Sequence, residues 1–124
     1  MNHKAVSSTL FAVGTLGGVL LGTLGTSASA HHGWSGYQEQ AVTLSGSIAE
    51  ASYSNPHASI VLKTDDKSWN VVLAPPGRMQ SRGLTKEMLA VGAKAQVEGY
   101  PHRTTADELR AERIVLAGKT IELR

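Results

Sequence analysis

Two adjacent histidines, His31 and His32, follow a stretch that is typical of a signal-peptide cleavage site. Residues 5–24 are uncharged and rich in Leu, Val, Gly and Thr, and Ala28-Ser29-Ala30 has the small-x-small form that signal peptidase accepts. Cleavage after Ala30 would leave His31 as the first residue of the mature chain. The α-amine and imidazole of an N-terminal histidine can chelate one cation together, so this arrangement predicts a transition-metal site.

Two further histidines lie after the leader, and we weigh each as an additional ligand. His57 follows Asn55-Pro56 at the start of a predicted strand, where it is either a metal ligand or a turn residue that hydrogen-bonds a backbone carbonyl. His102 follows Pro101 in a predicted loop, where a histidine is usually solvated. We therefore predict that the metal ligands are His31, His32 and His57.

The ligand types indicate which metal such a site would take. The chain has no cysteine and therefore no thiolate, so a nitrogen-rich set favours Cu(II) or Zn(II) over Cu(I). The terminal motif usual for copper and nickel needs histidine at the third position of the mature chain, and Gly33 is there instead. The predicted cofactor is a copper or zinc ion.

The leader also sets the expected location. A membrane anchor is the alternative, but the apolar run is barely long enough to cross ~30 Å of hydrocarbon and no basic stop-transfer cluster follows it. We expect a cleaved signal peptide over residues 1–30 and a single domain over 31–124. This domain would be periplasmic or secreted, with no membrane attachment after cleavage.

Charge and motifs exclude several function classes. Residues 31–124 carry eleven Lys and Arg against ten Asp and Glu, and this near-neutral balance argues against nucleic acid as a partner. No phosphate-binding loop or dinucleotide fingerprint follows the leader. Glu50 and His57 could form an acid–base couple, but an exposed carboxylate is the simpler expectation for Glu50. We predict that the chain is not an enzyme.

Hydrophobic alternation after the leader is mostly that of β-strands. Thr85 is positioned to cap a short helix from Lys86 to Leu89, which Gly92 would end. Ala74-Pro75-Pro76-Gly77 is predicted to end the hairpin formed by the second and third strands. The predicted strands run over residues 41–52, 58–64, 68–73, 93–100, 109–116 and 120–123.

Three strands, a short helix and two or three more strands are the element order of a small all-β Greek-key barrel of the OB type. The predicted fold is therefore an OB-like barrel of five to six strands, with an open antiparallel sandwich as the alternative. The residues expected to point inward are Val42, Leu44, Ile48, Ile60, Leu62, Trp69, Val71, Leu73, Val97 and Val115.

Several short motifs carry a family resemblance across nearly the whole mature chain. They are His31-His32 after the leader, Val42-Thr43-Leu44-Ser45-Gly46, Asn55-Pro56-His57, Trp69 with Leu73 and Pro76, Arg82-Gly83 and Val91-Gly92. This order resembles a family of small exported bacterial proteins known as domain of unknown function 6152. The resemblance implies an OB-like barrel and export, and it implies no reaction.

Two departures from the family pattern limit what can be transferred. The third strand of the family usually reads Trp-x-x-Glu, and Val72 stands at the position of that glutamate. The opening reads HHGW where the family typically has HHSF, which keeps an aromatic at Trp34. A ligand role carried by the family glutamate therefore does not apply to this chain.

A metal-free binding module is the alternative function. Barrels of the OB type bind nucleic acids, oligosaccharides and proteins, and the fold alone does not select among these ligands. Five aromatic residues could form a stacking surface for a glycan, a peptide or a protein partner, although Trp69 could equally belong to the core. These residues are Trp34, Tyr37, Tyr53, Trp69 and Tyr100.

Overall fold

The computed structural model of the protein describes residues 34–124. The predicted signal peptide, His31 and His32 lie outside this range. Within it the chain forms six strands, one short α-helix and one 3-10 turn. In chain order these are β1 (Val42–Ser52), β2 (Ser59–Lys63), β3 (Ser68–Val72), α1 (Pro76–Ser81), the 3-10 turn (Lys86–Leu89), β4 (Lys94–Pro101), β5 (Glu108–Leu116) and β6 (Lys119–Glu122).

The strands form a closed barrel. Their order is β3-β2-β1-β4-β5-β6, and each pair of neighbours in this order is antiparallel. Parallel pairing of Asn70–Val72 with Glu108–Arg110 joins β3 to β5 and closes five strands into a barrel, with β6 added beside β5. The predicted all-β barrel with one short helix is confirmed, and the open sandwich is wrong.

Strand β1 connects the two halves of the barrel. Its first half pairs with β4, and its second half pairs with β2. Close approach of the backbones is possible because glycine occupies two crowded positions. A Cβ on Gly46 would lie 2.1 Å from the Lys63 carbonyl oxygen, and one on Gly99 would lie 2.2 Å from the Arg110 carbonyl oxygen. A larger residue at either position would force the strands apart.

The core fills the barrel and accounts for most of the predicted inward positions. Six of the ten predicted residues are fully buried, and Leu44 and Trp69 are partly buried against the same cluster. Val42 is 36% exposed at the start of β1, so its prediction was wrong. The six buried residues are Ile48, Ile60, Leu62, Val71, Leu73 and Val97.

The prediction for Val115 was also wrong, and a β-bulge explains the error. In β5 the register against β4 passes from Ala111 to Arg113, which leaves Glu112 as an extra residue. The bulge keeps both Glu112 and Arg113 out of the core and shifts the inward phase to Ile114, which is fully buried. Simple alternation cannot describe a strand that changes phase in its middle.

The helical segments agree with expectation only in part. The predicted turn Lys86–Leu89 is present as a single 3-10 turn after Thr85. The proline segment that was predicted only to end the hairpin also begins α1, where Pro76 occupies the first turn and Met79 is buried. Proline suits the first helical position because its missing N–H has no partner there and its φ is already helical.

Leu62→Ala should lower the free energy of unfolding by about 2–4 kcal/mol, because a fully buried leucine leaves a cavity when it is shortened. Val91→Ala is the control: Val91 is 73% exposed, and the change should cost less than about 0.5 kcal/mol. Urea unfolding followed by circular dichroism measures both. A loss below about 0.5 kcal/mol for Leu62→Ala would show that β2 has been assigned the wrong inward face.

Candidate functional site

The chain segment that enters the described structure at Trp34 is docked where β4 ends. The Gln38 N–H donates to the Pro101 carbonyl oxygen at 2.8 Å, and the Arg103 N–H donates to the Gly36 carbonyl oxygen at 2.8 Å. Tyr37 and His102 form an isolated antiparallel bridge between these two segments. Backbone hydrogen bonds therefore fix the path of the chain from residue 34 onward.

Side-chain contacts also hold Trp34 in place. Its ring meets Tyr100 edge-on with centroids 5.6 Å apart, and Tyr37 lies 6.2 Å away at a tilt. The guanidinium carbons of Arg110 and Arg124 lie 4.4 and 5.0 Å from the Trp34 ring centroid. Each cation–π contact contributes about 0.5–2 kcal/mol, depending on its exposure. We call Trp34, Tyr37, Tyr100, Arg110 and Arg124 the aromatic–arginine cluster.

Two carboxylates from β5 orient the tyrosines of the cluster. The Tyr37 hydroxyl donates to Glu108 Oε1 at 2.5 Å, and the Tyr100 hydroxyl donates to Glu112 Oε2 at 2.8 Å. Burial, followed by the hydrogen bond to Glu108, raises the pKa of Tyr37 to about 12. The hydrogen bond to Glu112 is the main cause that raises the pKa of Tyr100. Both hydroxyls therefore remain protonated donors at neutral pH.

His57 lies beside this cluster, two residues before β2 begins. It follows a cis Asn55–Pro56 peptide bond, and its Nε2 lies 3.4 Å from an Arg110 Nη. Burial lowers the pKa of His57, and the positive charges of Arg110 and Arg78 lower it further. The lowered pKa favours the neutral ring, which is the form that binds a metal, although the two arginines oppose the approach of a cation.

The structure gives the other candidate histidine a different role. Nδ1 of His102 accepts hydrogen bonds from the backbone N–H groups of Thr105, at 2.9 Å, and Thr104, at 3.2 Å. Its ring also meets Tyr37 edge-on at 5.0 Å. His102 thus shapes the loop between β4 and β5.

The described residues hold no preformed metal site by themselves. Within 34–124 no three side chains of His, Asp or Glu gather closely enough to hold a metal ion. Among these same residues no hydrogen bond joins Glu50 to His57, so the suggested acid–base couple is not formed. In the described part of the chain no helix has both the length and the apolar character that a membrane span requires.

Three of the five aromatic residues proposed for a stacking surface do converge. Trp34, Tyr37 and Tyr100 belong to the cluster, whereas the other two lie elsewhere. Tyr53 packs against the core and donates its hydroxyl to the Leu84 carbonyl oxygen at 2.8 Å. Trp69 packs against the core beneath the Lys67 ammonium, which lies 4.1 Å from its ring centroid. The alternative view of Trp69 as a core residue was therefore the better one.

A surface cavity of about 360 Å³ opens at the cluster. Its aromatic walls are those same three rings, and two arginines and three polar side chains complete the lining. The lining residues are Trp34, Ser35, Tyr37, Gln38, Glu39, Tyr100, Arg103 and Arg124.

Sequence reasoning missed the charged residues of β5 that organise the cluster. Glu108, Arg110 and Glu112 alternate with the buried Leu109 and Ala111, so they share the outer face of one strand. That alternation was visible in the sequence. Their meeting with Trp34 was not, because 76 positions separate Trp34 from Arg110 and only the barrel brings them together.

Comparisons with known proteins define the class. The model of the family described as "Family of unknown function (DUF6152)" matches residues 19–110, well over half of the chain. The chain belongs to this family, and the predicted resemblance is confirmed. The family description names no activity, so function has to be argued from the residues.

Curated proteins give no significant match. Among solved structures, the fold is similar to part of a crystal structure of TiaS in complex with an isoleucine tRNA and ATP. The similarity has a TM-score of 0.48 and 18% identity, and it covers 68% of this chain and 19% of that one. The chain thus spans about a fifth of that protein's length, and so distant a likeness implies nothing about ligands.

The charge beside His57 can be tested by proton NMR. We expect the His57 ring to titrate below its ordinary value of 6.5 and Arg110→Met to move the titration upward, because the nearest positive charge is removed. Since the folded pKa lies below the unfolded one, protonating His57 costs the folded state more than the unfolded state. The free energy of unfolding should therefore fall as the pH drops below 6.5. Lys119→Met, an exposed change on β6, is the control. An unshifted His57 pKa in Arg110→Met would show that the two groups are not electrostatically coupled.

Proposed function

We propose that this chain is an exported β-barrel domain that binds one divalent transition metal at an amino terminus created by cleavage between Ala30 and His31. The ligands are the His31 amine and imidazole, with His32 and His57 completing the set. Cu(II) is the favoured ion, because it takes nitrogen ligands in a tetragonal arrangement, and Zn(II) is the alternative.

The docking of Trp34 is the observation that supports this proposal. Chain termini are poorly ordered unless something ties them down, and two histidines on a loose end would have no fixed partner. Trp34 packs on two aromatic rings and two guanidinium groups three residues after His31. A ligand pair so close to a fixed residue loses less conformational freedom on binding.

His57 is within reach of such a terminus. Arg110 contacts both the Trp34 ring, at 4.4 Å, and His57 Nε2, at 3.4 Å. Three residues of extended chain span about 10 Å, which is enough to bring His31 from Trp34 to this region. His57 coordinates through a nitrogen lone pair only once Arg110 no longer holds it, so we assign His57 a smaller share of the affinity than the terminal chelate.

Cu(II) binding to the exported protein tests the proposal. Protein recovered from the periplasm should have the mass of a chain that begins at His31. Isothermal titration should show one Cu(II) site, and a four-residue Ser-Gly-Ser-Gly extension before His31 should weaken it about tenfold or more, because the ligand amine becomes an amide and neither histidine stands at the third position. Affinity should also fall at acidic pH, since each ligand must first lose a proton.

Matched histidine variants separate the ligands. His57→Gln should weaken Cu(II) binding less than the four-residue extension does, and His102→Gln should leave it unchanged. Circular dichroism checks that each variant folds. Equal affinity for the native and the four-residue-extended termini would overturn the terminal chelate, as would a periplasmic protein that retains residues 1–30.

A second candidate function is metal-free binding of a glycan, with a peptide or protein partner as the other ligand classes. The convergence of Trp34, Tyr37 and Tyr100 at one cavity favours it, because ring surfaces stack on the apolar faces of sugars. The cavity volume of about 360 Å³ lies at the lower end of the range for ligand pockets, which suits one or two sugar units better than a folded partner.

An array of neutral and acidic oligosaccharides tests this second function without added metal. We expect binding to at least one oligosaccharide, weakened about tenfold or more by Tyr100→Leu, because a wall of the cavity loses its ring. Trp69→Leu, which removes an aromatic residue outside the cavity, should leave the affinity unchanged. Equal losses in both variants, or no binding on the whole array, would contradict a glycan site here.

A further inference from the structure

We infer that the cavity selects a saccharide that carries a carboxylate, such as a uronic acid, over the same saccharide without charge. The inference rests on the second proposed function, the binding of a glycan, and it names the chemical class of that glycan. It is independent of the terminal metal site, which uses other side chains.

The charged residues of the cavity carry the inference. Two arginines, Arg103 and Arg124, line it together with a single carboxylate, Glu39. The guanidinium fork of arginine matches a carboxylate with two parallel hydrogen bonds, and such charge-assisted bonds are about twice as strong as neutral ones. Two of the three charged side chains in the lining are therefore positive.

Arg103 is available to a ligand carboxylate at low cost. Its partner Glu39 lies 3.8 Å away, and the side chain of Glu39 is 95% exposed. An ion pair this long and this exposed contributes little to stability, so a bound carboxylate can take the place of Glu39. Half of the Arg103 side chain is exposed, which leaves it room to turn toward the cavity.

Arg124, the other arginine of the lining, makes two contacts that restrict its side chain. Its guanidinium carbon lies 5.0 Å from the Trp34 ring centroid, and its Nη1 lies 3.5 Å from Glu112 Oε1. Glu112 also accepts the Tyr100 hydroxyl, so this carboxylate is shared between two donors. A guanidinium restricted in this way loses less freedom when it binds an anion.

The remaining lining favours a sugar over a flat aromatic acid. Glu108 and Glu112 hold the hydroxyls of Tyr37 and Tyr100, which leaves the carbon surfaces of these rings as apolar walls. Ser35 and Gln38 add polar side chains to the same cavity. Apolar walls with scattered hydrogen-bonding groups suit a ring that has both C–H faces and hydroxyls.

Pairs of ligands that differ only in charge test the inference. Tetramers of galacturonate, mannuronate and guluronate are titrated calorimetrically into the metal-free protein that begins at His31, each beside its fully methyl-esterified form. We expect at least one acidic tetramer to bind about tenfold or more tighter than its ester, the difference expected for one charge-assisted contact. Added salt should reduce the advantage of the acid.

Charge-removing variants show whether the cavity arginines are responsible. Arg103→Gln and Arg124→Gln should each weaken binding of the acid about tenfold and leave binding of the ester unchanged. Lys86→Gln removes an exposed positive charge outside the cavity and should change neither. Circular dichroism verifies the fold of all three variants.

Each outcome bears on a different claim. Equal binding of an acid and its ester would leave a neutral glycan site in place and overturn the inference. Equal losses in Arg103→Gln and Lys86→Gln would show a diffuse surface effect and overturn it as well. Absence of binding for all six tetramers would overturn the inference, and the second proposed function would fall with it if the neutral oligosaccharides also failed to bind.

Discussion

Parallel pairing between β3 and β5 is the interaction on which the rest of the structure depends. It joins Asn70–Val72 to Glu108–Arg110, two segments far apart in sequence, and without it β3 and β5 would be open on that side. Asp107 introduces this pairing: its carbonyl oxygen accepts the Asn70 N–H at 2.7 Å, and its φ of 65° turns the chain into β5. Aspartate tolerates this left-handed conformation better than most residues do.

The same register that closes the barrel also builds the candidate site. With Leu109 turned into the core, the neighbouring Glu108 and Arg110 must face outward, where they meet Tyr37, Trp34 and His57. The bulge at Glu112 then keeps Arg113 out of the core as well, before the core phase resumes at Ile114. One strand thus supplies apolar residues to the barrel and three charged residues to the site.

The sequence predicted the parts of this structure that follow from local rules. Alternation located the strands and most of the core, and Asn55-Pro56-His57 and Trp34 were identified individually. Glu112 and Arg113 visibly interrupt the alternation of β5, but alternation could not show that Ile114 and not Val115 points inward after them, because a bulge is set by pairing with β4. Charges that are scattered along the chain likewise gave no sign that Arg110 and Arg124 share the Trp34 ring.

The helix that sequence analysis missed links the edge of the sheet to the site. β6 pairs with β5 on one of its edges. Arginines in and just after α1 reach backbone carbonyl oxygens at the end of β6. Arg82 donates to the carbonyl oxygens of Glu122 and Arg124, and Arg78 donates to that of Leu123. These bonds occupy acceptors that an edge strand would otherwise offer to another chain.

The positive charge of Arg78 also helps to lower the pKa of His57, so the same segment protects the edge and favours the neutral form of that imidazole. A change in α1 would therefore alter the electrostatics of the candidate site even though α1 supplies none of the proposed ligands.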